Sequence, residues 1–128
     1  APERRRNSRA AREVQEVAEG FSVAAEFIAE TRPAPCKLAV HVSSVAWAQF
    51  QFQSVANEFR YIEYLQERVC RPLMDAHLRA DFIDPAAPLD TYGLVYSPFL
   101  PALDESGLRE RLYAWIKAGG TWVAGPLT

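Results

Sequence analysis

Residues Tyr92 to Gly125, YGLVYSPFLPALDESGLRERLYAWIKAGGTWVAG, read as a strand, a helix and a second strand with both helix ends marked. Tyr92 to Ser97 is a short apolar run halted by Pro98, the pattern of a parallel strand buried on both faces. Asp104 is placed to cap the amides of a first helical turn, with Leu103 and Leu108 forming a hydrophobic staple across the cap. Leu108, Leu112, Trp115 and Ile116 then fall on one helical stripe. Gly119 and Gly120 end the helix in a left-handed turn, and Thr121 to Ala124 is the strand beyond it. Two strands joined through a helix lie parallel and the crossover is right-handed. Any fold that contains this unit is therefore built on a parallel sheet with a helix on one face.

The rest of the chain supplies further layers for that sheet. Ala10 to Glu30 is expected to be a helix with an apolar face of Val14, Val17, Phe21, Ala24, Ala25 and Ile28, a stripe that needs a partner surface: the sheet, or a domain boundary in a longer parent. Pro33 and Pro35 break it into a short stiff linker. Cys36 to Val42 alternates as a first strand, with Cys36, Leu38, Val40 and Val42 on one face and Lys37, Ala39 and His41 on the other. Ser43 to Glu58 has mixed periodicity: Phe50 and Phe52 alternate like a strand, whereas Trp47, Phe50 and Ser54 share a helical face. Phe59 to Ala76 is a helix with Ile62, Leu65, Val69, Leu73 and Ala76 facing inward, and Pro72 is expected to kink it or end its regular part near Arg71. Leu78 to Ile83 is a second strand, and Asp84 to Thr91, with Pro85 and Pro88, leads into the Tyr92 unit. The order helix, strand, loop, helix, strand, strand, helix, strand gives an open, mainly parallel, flavodoxin-like α/β sheet with helices on both faces, preceded by an N-terminal helix.

A chain of 128 residues with 49% hydrophobic and 23% charged residues buries a core of its own. Its formal charge of -2 argues against nucleic-acid binding. Arg4, Arg5, Arg6, Arg9 and Arg12 form one local basic patch without interleaved aromatics, read as a solvated helix start. No apolar run is long enough for a membrane span. The chain begins at Ala1 and its sole methionine is Met74, which points to a piece of a longer polypeptide. Cys36 and Cys70 sit in apolar contexts and read as buried free thiols in a reducing, cytoplasmic setting, with a disulfide between them left open. Together with His41 and His77 they show no ligand spacing, so no metal site is expected.

Nucleotide and flavin cofactors are not expected, because neither the Val42 nor the Ser97 strand exit carries a phosphate-binding glycine loop. There is no nucleophile elbow, and Ser97 has no partner nearby in the sequence to activate it. Glu58, Glu63, Glu67, Asp81, Asp84, Asp90, Asp104 and Glu105 fall at caps, turns and exposed helix faces. His41, alone on a mostly apolar strand, reads as a structural residue. Val45, Trp47, Phe50, Phe52 and Val55, in contrast, crowd a connection leaving the carboxyl end of a strand, the edge where open α/β sheets receive ligands and partners. Trp47, Phe50 and Phe52 are the candidate interface residues, since buried aromatics dominate interface energetics. Packing on the N-terminal helix is the competing reading of that loop.

The runs AVHVSSVAW (Ala39 to Trp47) and RPLMDAHLRA (within Tyr61 to Ala80), and above all DPAAPLDTYGLVYSPFLPALDESGLRERLYAWIKAGGTWVAGPLT, resemble the trimerization domain of family 42 β-galactosidases. AAREVQEVAEGFSVAAEFIAETRP resembles the segment that joins the catalytic barrel to that domain. The resemblance implies a division at residue 35: residues 1–35 a helix and linker from an absent (β/α)8 barrel, and residues 36–128 a trimerization domain, C-terminally incomplete. It implies homotrimeric self-association, with the two catalytic glutamates of a retaining galactoside hydrolase on the barrel and none in this sequence. The fold is also similar to class I glutamine amidotransferases, but the turn where those enzymes place a nucleophilic cysteine reads Gly125, Pro126, Leu127. A sugar-binding α/β module and a degenerate amidotransferase-like domain are the alternative functions.

Overall fold

The computed structural model describes residues 2–53 and 59–128, with side chains from Arg9 onward apart from Glu105. Ser54, Val55 and Glu58, and the side chains of Arg4, Arg5, Arg6 and Glu105, lie outside the described residues. The chain divides into two compact units, Ala1–Pro35 and Cys36–Thr128.

The first unit is one helix, α1 (Pro2–Glu30), ended before Pro33 and Pro35. Its Val14, Val17, Phe21 and Ile28 are exposed.

The second unit runs β1 (Leu38–His41), α2 (Ser44–Phe52), α3 (Tyr61–Leu65), a π-helical turn (Gln66–Cys70), α4 (Arg71–Asp75), β2 (Asp81–Ile83), β3 (Leu94–Ser97), α5 (Leu108–Lys117) and β4 (Thr121–Ala124). The four strands form one sheet in the order β2-β1-β3-β4, and all three pairings are parallel. The β1-to-β2 crossover moves one way along the sheet and the β3-to-β4 crossover the other. Right-handed crossovers then place their helices on opposite faces. Register sorts the side chains accordingly. Val40, Tyr96 and Val123 are level on one face, and Ala39, Val95 and Trp122 on the other.

Each face has its own core. Leu108, Leu112 and Trp115 of α5 bury against Ala39 and Val95. Tyr61, Leu65 and Val69 bury with Ala46 and Phe99 against Val40. A fully buried side chain of this size contributes about 1.5–3 kcal/mol, which makes these two clusters the main source of stability. Gly120 is required where α5 turns into β4, because a Cβ there would stand 2.2 Å from Trp115 Cε2.

Three local expectations are corrected. Asp104 does not cap α5: Ser106 and Gly107 both take left-handed backbone angles, φ 54° and 65°, which separate Asp104 from the helix. The helix opens at Gly107 without a side-chain cap, and Asp104 instead pairs with Arg109 at 2.9 Å. Pro72 does not end its helix, but the regular part does give way just before Arg71, as one of its two expected effects required. Regular turns stop earlier, at Leu65, and Arg71 N–H bonds to the Gln66 carbonyl five residues back. The helix thus widens just before the proline, which has no N–H to give, and continues to Asp75. The wider turn also changes its inward face to Tyr61, Leu65, Val69 and Leu73, leaving Ile62 and Ala76 exposed. Lastly, Cys36 and Cys70 are free but half-buried, and the Cys36 thiol lies 3.1 Å from the Arg79 carbonyl.

Candidate functional site

The connection after β1 is helical. Ser43 takes an extended backbone, and its Oγ accepts the Ala46 N–H at 3.0 Å. That cap decides between the strand and helix readings of SSVAWAQFQF. The cap is itself held by Tyr61, whose hydroxyl accepts the Ser43 N–H at 3.1 Å, and burial pushes the Tyr61 phenol above its usual pKa.

The helix splits the three predicted interface residues. Phe50 turns inward with Ala46 and meets Phe59 edge-on at 4.8 Å and Tyr61 in a stacked arrangement at 6.0 Å. Trp47 and Phe52 remain exposed, Phe52 at 89%, with Val45 exposed about two helical turns before Phe52. The structure therefore makes Phe50 an anchor that holds α2 on its core, and leaves Val45, Trp47 and Phe52 as the outward apolar surface. A helix that is apolar on all sides is ordinarily buried all round.

The carboxyl edge of the sheet holds a second constellation. His41 ends β1 and Ser97 ends β3; one register step beyond Val40 and Tyr96, they meet with Nδ1 to Oγ at 2.8 Å. Trp122 Nε1 donates to the same Oγ at 2.8 Å, so one hydroxyl ties β1, β3 and β4 together. Burial holds the His41 imidazole down at about 4, with the Arg111 guanidinium acting in the same direction and the Asp84 carboxylate against it. His41 is neutral at physiological pH. Its Nε2 meets no hydrogen-bond partner among the described residues. The reading of His41 as structural holds for Nδ1 alone.

A serine within hydrogen-bonding distance of a histidine is the core of a nucleophilic dyad. Here both side chains are sealed, His41 at 1% and Ser97 at 0% exposure. Pro98, Phe99 and Leu100 are buried immediately beyond Ser97. The C-terminal turn closes over them: Phe99 N–H bonds to the Pro126 carbonyl at 2.9 Å, and Thr128 Oγ1 donates to the Ser97 carbonyl at 2.6 Å. Arg111 fastens α5 to the β2–β3 connection through the carbonyls of Pro85, Ala86 and Ala87. This arrangement braces the strand ends and keeps both side chains buried among the described residues. Among the described residues, no group of three or more His, Cys, Asp or Glu is placed to hold a metal. Among the described residues, no helix is long and apolar enough to cross a membrane either.

One surface was not anticipated. On the face opposite α5, Leu38, Leu94, Tyr96 and Val123 line a groove of about 490 Å³ with Pro72 and Leu73. Only the strand order shows which part of each face is left open.

Residues 39–128 match the model of the family described as the beta-galactosidase trimerisation domain. Beta-galactosidase YesZ of Bacillus subtilis strain 168 is 38% identical over 56 residues, which is 44% of this chain and 8% of that protein. The chain thus aligns with less than a tenth of the length of this curated relative. The beta-galactosidase of Rahnella sp. R3 superposes with a TM-score of 0.65 at 30% identity, over 89% of this chain and 16% of that one. The beta-galactosidase of the haloarchaeon Halorubrum lacusprofundi does so with a TM-score of 0.68 at 27% identity, over 77% and 14%.

Proposed function

We propose, from the premise that this chain belongs to the family of β-galactosidase trimerisation domains, that it is a non-catalytic assembly module of a galactoside-hydrolysing enzyme. In this reading it holds three copies of a longer polypeptide around one axis, each copy carrying its active site on a (β/α)8 barrel. The parent is a cytoplasmic, retaining hydrolase of terminal β-D-galactosides. The free thiols of Cys36 and Cys70 support the reducing compartment.

The single observation that carries the reading is the family match over residues 39–128. The site geometry agrees with it. The sheet edge where an α/β domain would hold a ligand is filled by buried side chains, while Val45, Trp47 and Phe52 present apolar surface outward. Three-fold assembly requires a closed ring of head-to-tail contacts, so this surface meets a different patch on the next copy.

Light scattering on a sizing column across a concentration series tests the proposal. The expected species is a trimer or a multiple of it. Trp47→Ala with Phe52→Ala lowers its mass without lowering the melting temperature, whereas Phe50→Ala lowers the melting temperature. A monomer at every concentration would overturn the assembly role, and an unaltered oligomer in the double variant would remove Trp47 and Phe52 from the interface.

A further inference from the structure

The Ser97 hydroxyl has one hydrogen to give and two lone pairs to offer. The Trp122 indole can only donate, so its contact at 2.8 Å takes one lone pair. The contact with His41 Nδ1, also at 2.8 Å, then admits two arrangements. With the proton on Nδ1, the second lone pair is taken and the Ser97 hydrogen has no acceptor among the described residues. With Nδ1 bare, the Ser97 hydroxyl donates to it and every polar atom at the contact is satisfied. The geometry selects the second arrangement, with the imidazole proton on the buried Nε2.

A second proton has no place in this site. Both nitrogens of an imidazolium are donors, so the indole N–H, the Nδ1–H and the serine's own hydrogen would converge on one oxygen. Two charged groups face the imidazole. Arg111, from α5, opposes the added charge and is held in place by the carbonyls of Pro85, Ala86 and Ala87. Asp84, after β2, favours it, but its Oδ1 already accepts the Ala86 N–H at 2.8 Å. The site therefore takes the proton only by opening. His41 and Ser97 are sealed on β1 and β3, which each pair on two sides. Trp122 is half-buried on β4, which pairs on one side among the described strands, so β4 is the side that yields.

We propose that His41, Ser97 and Trp122 form an acid-sensitive latch: when His41 gains a proton, the Trp122 indole leaves Ser97 and the end of β4 loosens from β3 while α5 stays packed. The following turn loosens too, because Gly125 N–H and Thr128 Oγ1 both bond to the Ser97 carbonyl. The imidazole sits at about 4 in the closed latch and returns toward its ordinary 6.5 once wet. Between those values the ratio of open to closed rises by up to about tenfold for each pH unit of acidification.

NMR on the full chain tests the latch. At neutral pH, nitrogen-15 correlations within the His41 ring are expected to show the proton on Nε2; a proton on Nδ1 would overturn the assignment. The three indole N–H signals, assigned by single Trp→Phe replacements, are then followed as the pH is lowered. The Trp122 signal should shift ahead of that of Trp115, which is buried in the core beneath α5. In His41→Asn, which binds no proton, Trp122 and Trp115 should move together. A Trp122 signal that moves only with Trp115 in the unaltered chain, or that moves alone in His41→Asn, would overturn the latch. The two measurements on the unaltered chain decide the matter even if the variant does not fold.

Discussion

Acid should weaken this fold through His41, by an amount that follows from its surroundings. In the folded chain the imidazole sits at about 4, against an ordinary value of 6.5. Between those limits the unfolded chain holds a proton at this position that the folded chain refuses, so stability falls as the pH is lowered from 6.5 and levels off for this group below about 4. The gap corresponds to about 3 kcal/mol, a sizeable part of the 5–15 kcal/mol typical of a small domain. Near the middle of the window the slope approaches about 1.4 kcal/mol per pH unit. The assay is urea denaturation at fixed protein concentration, in half-unit steps from pH 7.5 to 3.5, followed by tryptophan fluorescence. His41→Asn, which keeps an acceptor for the Ser97 hydroxyl but binds no proton, isolates the contribution as the difference between two curves. Arg111 faces the imidazole from α5 and Asp84 from the end of β2, so both charges enter the comparison unchanged. Parallel curves, or an NMR titration of His41 centred near 6.5, would refute the reasoning.

Ser97→Ala removes the hydroxyl shared by Trp122 and His41, and one buried and one half-buried polar atom lose their partner; a loss of about 1–3 kcal/mol is expected in chemical denaturation. Gly120→Ala drives a Cβ into the Trp115 ring and should cost about 1–3 kcal/mol, with altered near-UV circular dichroism from the displaced indole. His77→Gly should instead stabilise by about 0.5–1 kcal/mol in thermal denaturation. His77 has φ 53° at the end of α4, where Leu78 N–H reaches back to the Leu73 carbonyl at 2.8 Å, a geometry that glycine adopts without strain.

The parallel unit from β3 to β4 was legible because each of its signals is local. Gly119 and Gly120 mark the turn, and Leu108, Leu112 and Trp115 repeat at helical spacing and are buried as that spacing requires. What misled was also local. Asp104 has the chemistry and placement of a cap, yet Ser106 and Gly107 reverse the backbone after it, and a serine gives no warning of a positive φ. The phase of the Tyr61–Asp75 helix was misread for a similar reason. A single π-helical turn advances the inward face by an amount that no fixed period predicts, so Ile62 was assigned inward and Tyr61 overlooked.

The polar contact at the sheet edge was illegible for a different reason. His41 and Ser97 are separated by 56 positions, and nothing near either residue announces the other. They meet because β1 and β3 are neighbours in the order β2-β1-β3-β4, and that adjacency is also the point where the strand order reverses. Doubly wound sheets bind their ligands outside the carboxyl ends of the strands at this reversal, in a crevice that the diverging crossovers leave open. Here the strands end in His41 and Ser97, with the Trp122 indole bonded to the same hydroxyl and Phe99 and Leu100 buried beyond it. The crevice has been converted into internal packing. Buried side chains at this strand edge, with Trp47 and Phe52 of the adjoining helix exposed, support the proposal that recognition takes place on the outer surface.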